Sequence, residues 1–422
     1  MGLKFGVVQA PYLCFYLFMM YHALGFVFRS NAGVSGLCRQ QVRGSYFTQS
    51  ISCRLQHDAT KSQTYLSRKR LIENGNRPKS RAVSMTQSDE ACESGELPFT
   101  SEYHTPVLCN ECVEWLVTDP DGAYVDGTLG GGGHSLAVCE ALAALGGGGR
   151  LWSFDRDPEA LATATARLEK HQAAGRWAPV RANFGGMGAA LAAAAPELFP
   201  PGGAGPPLAG MLLDLGVSSH QLDEGARGFS YAAEGPLDMR MEGPGGGGGL
   251  TAEVIVNTWE ADRLADVLWS YGDERRSRRI ARNIVDARPL ATTRELAAVA
   301  RRGCKSREEQ TKTLARVFQA LRIAVNGEME ALESVLTQAR QLIKPGGRIV
   351  VLSYHSLEDR RVKRILNDGN FEGEAQKDFY GNRIAPWNPV SRKAMVASKE
   401  EVEKNSRARS VKMRVAIRTD TA

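Results

Sequence analysis

Residues 123–134, Ala-Tyr-Val-Asp-Gly-Thr-Leu-Gly-Gly-Gly-Gly-His, constrain the fold of this chain more than any other stretch. Three β-prone residues, Ala123, Tyr124 and Val125, run into Asp126, and the glycines that follow permit a tight turn and a close backbone approach to a ligand. Residues 135–145 then read as a helix. Strand, glycine turn and helix N-terminus bring backbone N–H groups together where a polar or anionic ligand can meet them. Glycine runs also occur at 146–149 and 245–249, where they read as loop filler, so context has to carry the assignment. Twenty-two residues after Gly133, a second apolar run, Arg150 to Phe154, ends at Asp155. There the second strand of a βαβ unit puts a carboxylate beside the glycine loop, able to accept both hydroxyls of a ribose. This spacing suits a dinucleotide or S-adenosylmethionine.

The rest of the chain continues the α/β rhythm. Asp157-Pro158 starts a helix through Lys170, residues 177–183 form a third strand ending at Phe184, and residues 208–215 form a buried fourth strand, followed by Gly216-Val-Ser218-Ser219. In open α/β sheets ligands sit beyond the carboxyl ends of the strands, so Asp126, Asp155, Phe184 and Asp214 are expected to converge on one crevice. From Gly243 to Lys312 strands give way to helices at 258–271, 274–287 and 293–302, the second carrying Arg275, Arg276, Arg278, Arg279 and Arg282 as a candidate phosphate-contacting face. One long amphipathic helix follows, with apolar residues from Phe318 to Leu342, then a strand at 348–354 and a helix opening at His355. Residues 369–397 read as irregular, and 411–418 as a final edge strand. The expected organisation is a presequence or disordered segment at 1–95, a first α/β part at 101–242, an inserted helical substrate domain at 243–312 and a second α/β part at 313–422.

The net charge of +6 suggests a nucleic-acid partner, but it lies in the leader: residues 101–422 hold 41 basic and 41 acidic side chains. RNA affinity must therefore come from local patches. The eight cysteines lack the spacing of a disulfide framework or a four-ligand zinc site, and Cys109 and Cys112 read as small buried helix residues rather than a redox or metal pair. No metal is indicated. Residues 5–28 are mostly apolar, and residues 29–81 are rich in Arg, Ser and Gln with Asp58 and Glu73 as the only acids, the composition of an organelle transit peptide. A start at Met85 is the alternative.

Several stretches together resemble one family: Tyr103-His-Thr-Pro-Val-Leu108, Asp126 to His134, Phe154-Asp-Arg-Asp-Pro158, Leu213 to Ser219 with Gln221-Leu-Asp223, Pro236-Leu-Asp-Met-Arg-Met241, Tyr271-Gly-Asp-Glu-Arg275, Ser353 to Arg360 and Asn405 to Ser410. The ordered series is similar to the bacterial small-subunit rRNA cytosine-N4 methyltransferases, from about residue 101 to the end. The resemblance implies a class I S-adenosylmethionine-dependent methyltransferase fold (Rossmann-like α/β) with a helical insertion, S-adenosylmethionine as cofactor, and methylation of N4 of a cytidine in 16S-type rRNA. It assigns cofactor contacts to Gly132, Gly133 and His134, to Asp155 for the ribose, to Phe184 beside the adenine, and to Asp214 and Gln221 near the methionine end. His220 and the stretch Lys312 to Arg316 depart from the family pattern.

Asp214 or Asp238 is the expected group that polarises the amine. Ser218, Ser219, Arg240 and His355 are expected on the substrate side, although His355, as a lone histidine, reads first as a hydrogen-bonded structural residue. The implied partner is small-subunit rRNA or the assembled small ribosomal subunit. Stable membrane association of the catalytic part is not expected, and a homodimer is neither required nor excluded. Joined to a bacterial-type enzyme, the leader implies an organelle, the chloroplast ahead of the mitochondrion. The competing readings are a non-catalytic RNA-binding assembly factor and a dinucleotide-dependent oxidoreductase; against the latter stands the lack of a spaced G-x-G-x-x-G.

Overall fold

Val125, Trp152, Phe154, Met211, Leu213, Ile349 and Val351 alternate along the chain with Tyr124, Leu151, Leu212, Val350 and Leu352, so each strand sends apolar side chains to both faces of a sheet. This is the pattern of a sheet covered on both sides. The computed structural model describes residues 106–200, 205–245, 249–381 and 383–420. The expected presequence, 1–95, and the Tyr103 to Thr105 stretch lie outside them. Among the described residues no helix is long and apolar enough to cross a membrane.

In chain order the α/β part comprises α1 (Cys109–Leu116), β1 (Ala123–Asp126), α2 (Gly133–Leu145), β2 (Arg150–Asp155), α3 (Pro158–Ala173), β3 (Trp177–Arg181), α4 (Met187–Ala194), β4 (Leu208–Asp214) and α5 (Ser219–Asp223). The helical part follows with α6 (Ala252–Thr258), α7 (Ala261–Gly272), α8 (Ser277–Asp286), α9 (Thr293–Ala300) and α10 (Arg307–Asn326). The chain then returns to the sheet through α11 (Glu328–Leu342), β5 (Ile343–Ser353), α12 (Ser356–Asp368), β6 (Trp387–Pro389), α13 (Lys399–Lys404) and β7 (Lys412–Arg418). The sheet order is β3-β2-β1-β4-β5-β7-β6, with β7 antiparallel to both neighbours and every other pairing parallel. The order reverses at β1/β4, which puts the topological switch point directly beyond Asp126 and Asp214.

Four sequence expectations change. The edge strand is β6, and β7 lies inside the sheet; Pro389 has no N–H to donate, which suits it to the edge. Strand β5 begins at Ile343, paired with Leu208, and bulges over Lys344 to Gly347 before resuming at Arg348. The expected single long helix is two helices, α10 and α11, because Gly327 takes the left-handed conformation (φ 58°) and caps one while starting the next. The helical core also reaches past both boundaries drawn at 243 and 312. It takes in Phe229, Leu237 and Met239 upstream and Leu314 to Leu321 downstream, and α10 crosses residue 312 unbroken.

Cys109 and Cys112 are buried under the sheet as expected, and burial pushes the Cys109 thiol up to about 12, away from redox chemistry. A buried ion network ties the helical part to the α/β part. Arg227 bonds Asp157 (2.9 Å), Glu159 (3.1 Å) and the Met241 carbonyl (2.8 Å), while Asp157 caps α3 by accepting the Glu159 N–H. Arg156 completes the tie, donating to Glu242 (2.8 Å) and to the Asn326 carbonyl at the end of α10 (3.2 Å).

Candidate active site

Asp126 ends β1 and is only 1% exposed. It accepts the Thr128 N–H (3.0 Å) and the Ser135 hydroxyl (2.6 Å), and Ser135 continues to Ser153 and the Trp177 indole. Burial pushes its carboxyl above the ordinary range, against those hydrogen bonds. This corrects the expectation that Asp126 faces the crevice: it props the glycine loop from below. Gly132 is corrected likewise. Its φ of 77° makes the turn into α2, and a Cβ there would press on Ala164 and Leu168 of α3 at 3.1 Å, so it faces the core rather than a ligand.

Above that support lies a solvent-open cleft at the carboxyl ends of β1, β2 and β4. Gly133 and His134 from the start of α2, Asp155 from β2 and Phe184 after β3 line it. Asp214 from β4, Ser218 and Gln221 complete the sequence-assigned residues found there. Asp155 accepts the Gly130 N–H through one oxygen (2.9 Å) and the Asp157 N–H through the other (2.9 Å), which fixes its plane beside the glycine loop. Burial pushes its carboxyl up to about 6, opposed by those two backbone donors. Phe184 sits on a turn held to α11, where Ser334 and Gln338 donate to the Gly185 carbonyl (2.7 and 2.6 Å). Ser218 and Gln221 form the capping box of α5, and the Gln221 amide also donates to Asp157 (3.3 Å).

Asp214 is held by residues far apart in sequence. Its N–H donates to the Thr128 hydroxyl (2.6 Å), and its Oδ1 accepts the Tyr354 hydroxyl (2.7 Å). His134 lies 3.5 Å away on Oδ2 through Nδ1. Its Nε2 is 3.0 Å from the Val107 carbonyl, which can only accept, so Nε2 carries a hydrogen and Nδ1 is the atom turned to the carboxylate. Burial, and after it the Asp214 charge, push the Tyr354 phenol well above its ordinary range, so it stays a donor. Sequence reasoning passed over Tyr354 although it stands at the end of β5, beside His355 in a stretch already singled out. Arg156 was missed too; it lines the cleft while tied to Glu242 and α10.

The remaining expected residues lie elsewhere. Asp238 does not line the cleft: Arg240 grips both its oxygens (3.0, 3.2 and 2.7 Å), and although burial works against ionisation this partner holds the carboxyl below its usual range. Asp238 and Arg240 thus neutralise each other. His355 is the N-cap of α12, its Nδ1 facing the Glu358 N–H and its Nε2 3.0 Å from the Glu358 carboxylate, and it does not reach the cleft. Ser219 opens α5 outside the lining. Arg407 closes an ion pair with Asp223 (3.0 Å).

Replacing Tyr354 with phenylalanine removes one hydrogen bond to a charged acceptor, about 1.5–3 kcal/mol in such settings. The expected result is a roughly tenfold or larger fall in kcat with the dissociation constant for S-adenosylmethionine within twofold of wild type. Steady-state kinetics beside a cofactor titration checks it; a change in affinity alone would assign Tyr354 to the cofactor instead.

A parallel sheet with an antiparallel β7 inserted between β5 and β6, a glycine loop after β1, and acids at the ends of β2 and β4 facing one cleft, defines a class I S-adenosylmethionine-dependent methyltransferase. The MraW methylase family model matches residues 101–419, and the chain belongs to that family. Curated relatives include the ribosomal RNA small subunit methyltransferase H of Amoebophilus asiaticus, 43% identical over 323 residues, covering 76% of this chain and 97% of the relative. The protein of the same name from Phocaeicola vulgatus is 44% identical over 318 residues, covering 74% and 97%. The oxidoreductase reading falls with this assignment.

Proposed function

We propose that this protein methylates the N4 amine of a cytidine in the small-subunit rRNA of an organelle, the chloroplast ahead of the mitochondrion. The observation that carries the reaction is the meeting of Asp155, Phe184, His134, Asp214 and Tyr354 in one cleft, on a chain that belongs to the MraW methylase family. The cleft suits S-adenosylmethionine: Asp155 presents a carboxylate oriented by the glycine loop to the ribose hydroxyls, and Phe184 offers an apolar ring for the adenine. When bound, the group would supply an electrophilic methyl on a sulfonium, the S–C bond breaking as the new N–C bond forms and the sulfur leaving as a neutral thioether.

The N4 lone pair of cytosine is delocalised into the ring, so the amine is a weak nucleophile and placement carries most of the catalysis. Asp214 accepts a hydrogen bond from N4, which draws that lone pair out of conjugation, and takes up the proton released as the N–C bond forms. Tyr354 holds Oδ1 in place and His134 flanks Oδ2, which together orient the carboxylate at the cleft. A base in folded RNA must be turned outward to enter.

Incubating the full chain with methyl-labelled S-adenosylmethionine and small-subunit rRNA or particles, then digesting to nucleosides, tests the reaction; N4-methylcytidine is the expected product. RNA bound without turnover would favour the assembly-factor reading. The organellar address rests on the acid-poor, Arg- and Ser-rich composition of residues 29–81. Imaging a fluorescent fusion of residues 1–95 tests it, with plastid fluorescence expected and diffuse cytosolic signal overturning it.

Asp155→Asn is expected to weaken S-adenosylmethionine binding by about 1–3 kcal/mol, the cost of unpairing ribose hydroxyls. Hydroxyl donors favour the ionised carboxylate, so wild-type affinity holds above pH 6 and falls as pH drops through about 6, where Asp155 takes a proton. In the asparagine variant this dependence should disappear. Calorimetry from pH 5 to 8 checks both, and a flat wild-type profile would remove Asp155 from the ribose contact.

A further inference from the structure

Helix α8 buries Ser277, Ile280, Ala281 and Ile284 in the helical core, which turns the opposite stripe to solvent. Arg275, just before the helix, and Arg278, Arg279 and Arg282 on it fall three and four residues apart, and all four are exposed. Arg276, from the same run, points elsewhere: it donates to Thr313 (3.0 Å) and Cys304 and lies beside Glu274 and Glu309. The sequence cluster therefore divides into one structural arginine and four outward ones. Among the described residues no ion pair joins these four to a carboxylate. Glu308 is paired with Lys312, and Glu309 with the Lys305 N–H and Arg276. Like charges at this spacing repel one another along the helix, an arrangement that an external polyanion relieves.

The stripe is anchored at one end and extended at the other. Its start is tied to the cleft, because Asp273, two residues before Arg275, accepts the Ser356 hydroxyl (3.3 Å), and Ser356 stands two residues beyond Tyr354 of the cleft lining. At its far side the Arg279 guanidinium lies across Gly303, so close that a Cβ there would meet it at 2.7 Å, and the exposed Arg301 and Arg302 occupy the same turn. Each turn of the helix adds about 5.4 Å to the track.

We propose that Arg275, Arg278, Arg279 and Arg282, extended by Arg301 and Arg302, form a track that grips the sugar–phosphate backbone of RNA flanking the base presented to the cleft. This rests on the rRNA reading above. Guanidinium groups pair with phosphate oxygens in fork geometry, and a row of them at helical spacing follows a backbone without reading its sequence. The track thus supplies affinity, and the cleft supplies the choice of atom.

The test uses the full chain with Arg278, Arg279 and Arg282 all replaced by glutamine, exposed positions where a good helix former is kept. Binding of fluorescently labelled small-subunit rRNA is measured by anisotropy from 50 to 300 mM salt, together with methylation kinetics. The expected result is at least tenfold weaker binding at about 150 mM salt and a log–log salt slope shallower by two to three, since each lost phosphate contact removes roughly 0.9. KM for the rRNA rises in parallel, while kcat and cofactor affinity stay as in wild type. Arg294→Gln removes an exposed arginine already paired with Glu234 (2.8 Å) and should leave binding unchanged. An unchanged slope in the triple variant overturns the track, as does an equal loss per charge in Arg294→Gln, which would mean net charge alone. Wild-type protein that binds rRNA with a slope the triple variant lacks, yet forms no N4-methylcytidine, would sink the reaction proposed above and leave the track standing.

Discussion

Asp214→Ala is expected to lower kcat by about 10²–10⁴, the usual contribution of a positioned acid–base group. The size follows from how the residue is held. Its N–H is bonded to Thr128, one oxygen to Tyr354, and His134 flanks the other, so the carboxylate is oriented before any substrate arrives. Alanine removes the acceptor and leaves the Tyr354 hydroxyl without its partner in a buried setting. Asparagine keeps the shape and one acceptor but cannot take up a proton, so its loss should fall between that of alanine and wild type. Initial rates at saturating cofactor, with cofactor affinity measured separately, check both variants. More than a tenth of wild-type kcat in the alanine form would move polarisation of the amine to another group.

The second large effect concerns stability. Arg227 and Asp157 are 3% and 1% exposed, and they face each other at 2.9 Å. Removing one member of a buried pair leaves the other charge uncompensated, which typically costs 3–5 kcal/mol. Arg227→Met should therefore lower the urea midpoint substantially, and the double variant Arg227→Met, Asp157→Asn should recover part of the loss because the stranded charge goes too. Asp157 also caps α3 and bonds Gln221, so cofactor affinity is expected to fall in the single variant. A loss below 1 kcal/mol would show that water or a rearranged Glu159 replaces the pair.

Much of this protein was legible in its sequence because strand ends and glycine turns are local. Asp155 and Asp214 could be placed in one crevice since each follows a buried apolar run, and the parallel topology brings such ends together. Asp126 follows an equally clear strand yet turns inward, because Thr128 and Ser135 supply donors from beneath the loop; no spacing distinguishes it from Asp155. Tyr354 and Arg227 were not seen because their partners lie 140 and 70 residues away, a separation that only the folded sheet closes. Asp238 was misjudged for the opposite reason. Arg240, its partner, is only two residues on, close enough to neutralise it before any ligand could. The three-residue strand β6 carries too little pattern for its period to be read, and Gly327 divides α10 from α11 without disturbing the apolar spacing that suggested one helix.

Helix α10 has a consequence for which changes of length the protein tolerates. Its Leu314 to Leu321 face belongs to the helical core, while Asn326 at its end donates to the Met239 carbonyl and accepts the Met241 N–H beside the cleft. One residue added or lost between them would swing the two ends out of phase by about 100° and shift them by about 1.5 Å, breaking both sets of contacts at once. A change of length inside the helix is therefore expected to disturb both halves of the enzyme, and the helix acts as a fixed gauge between them.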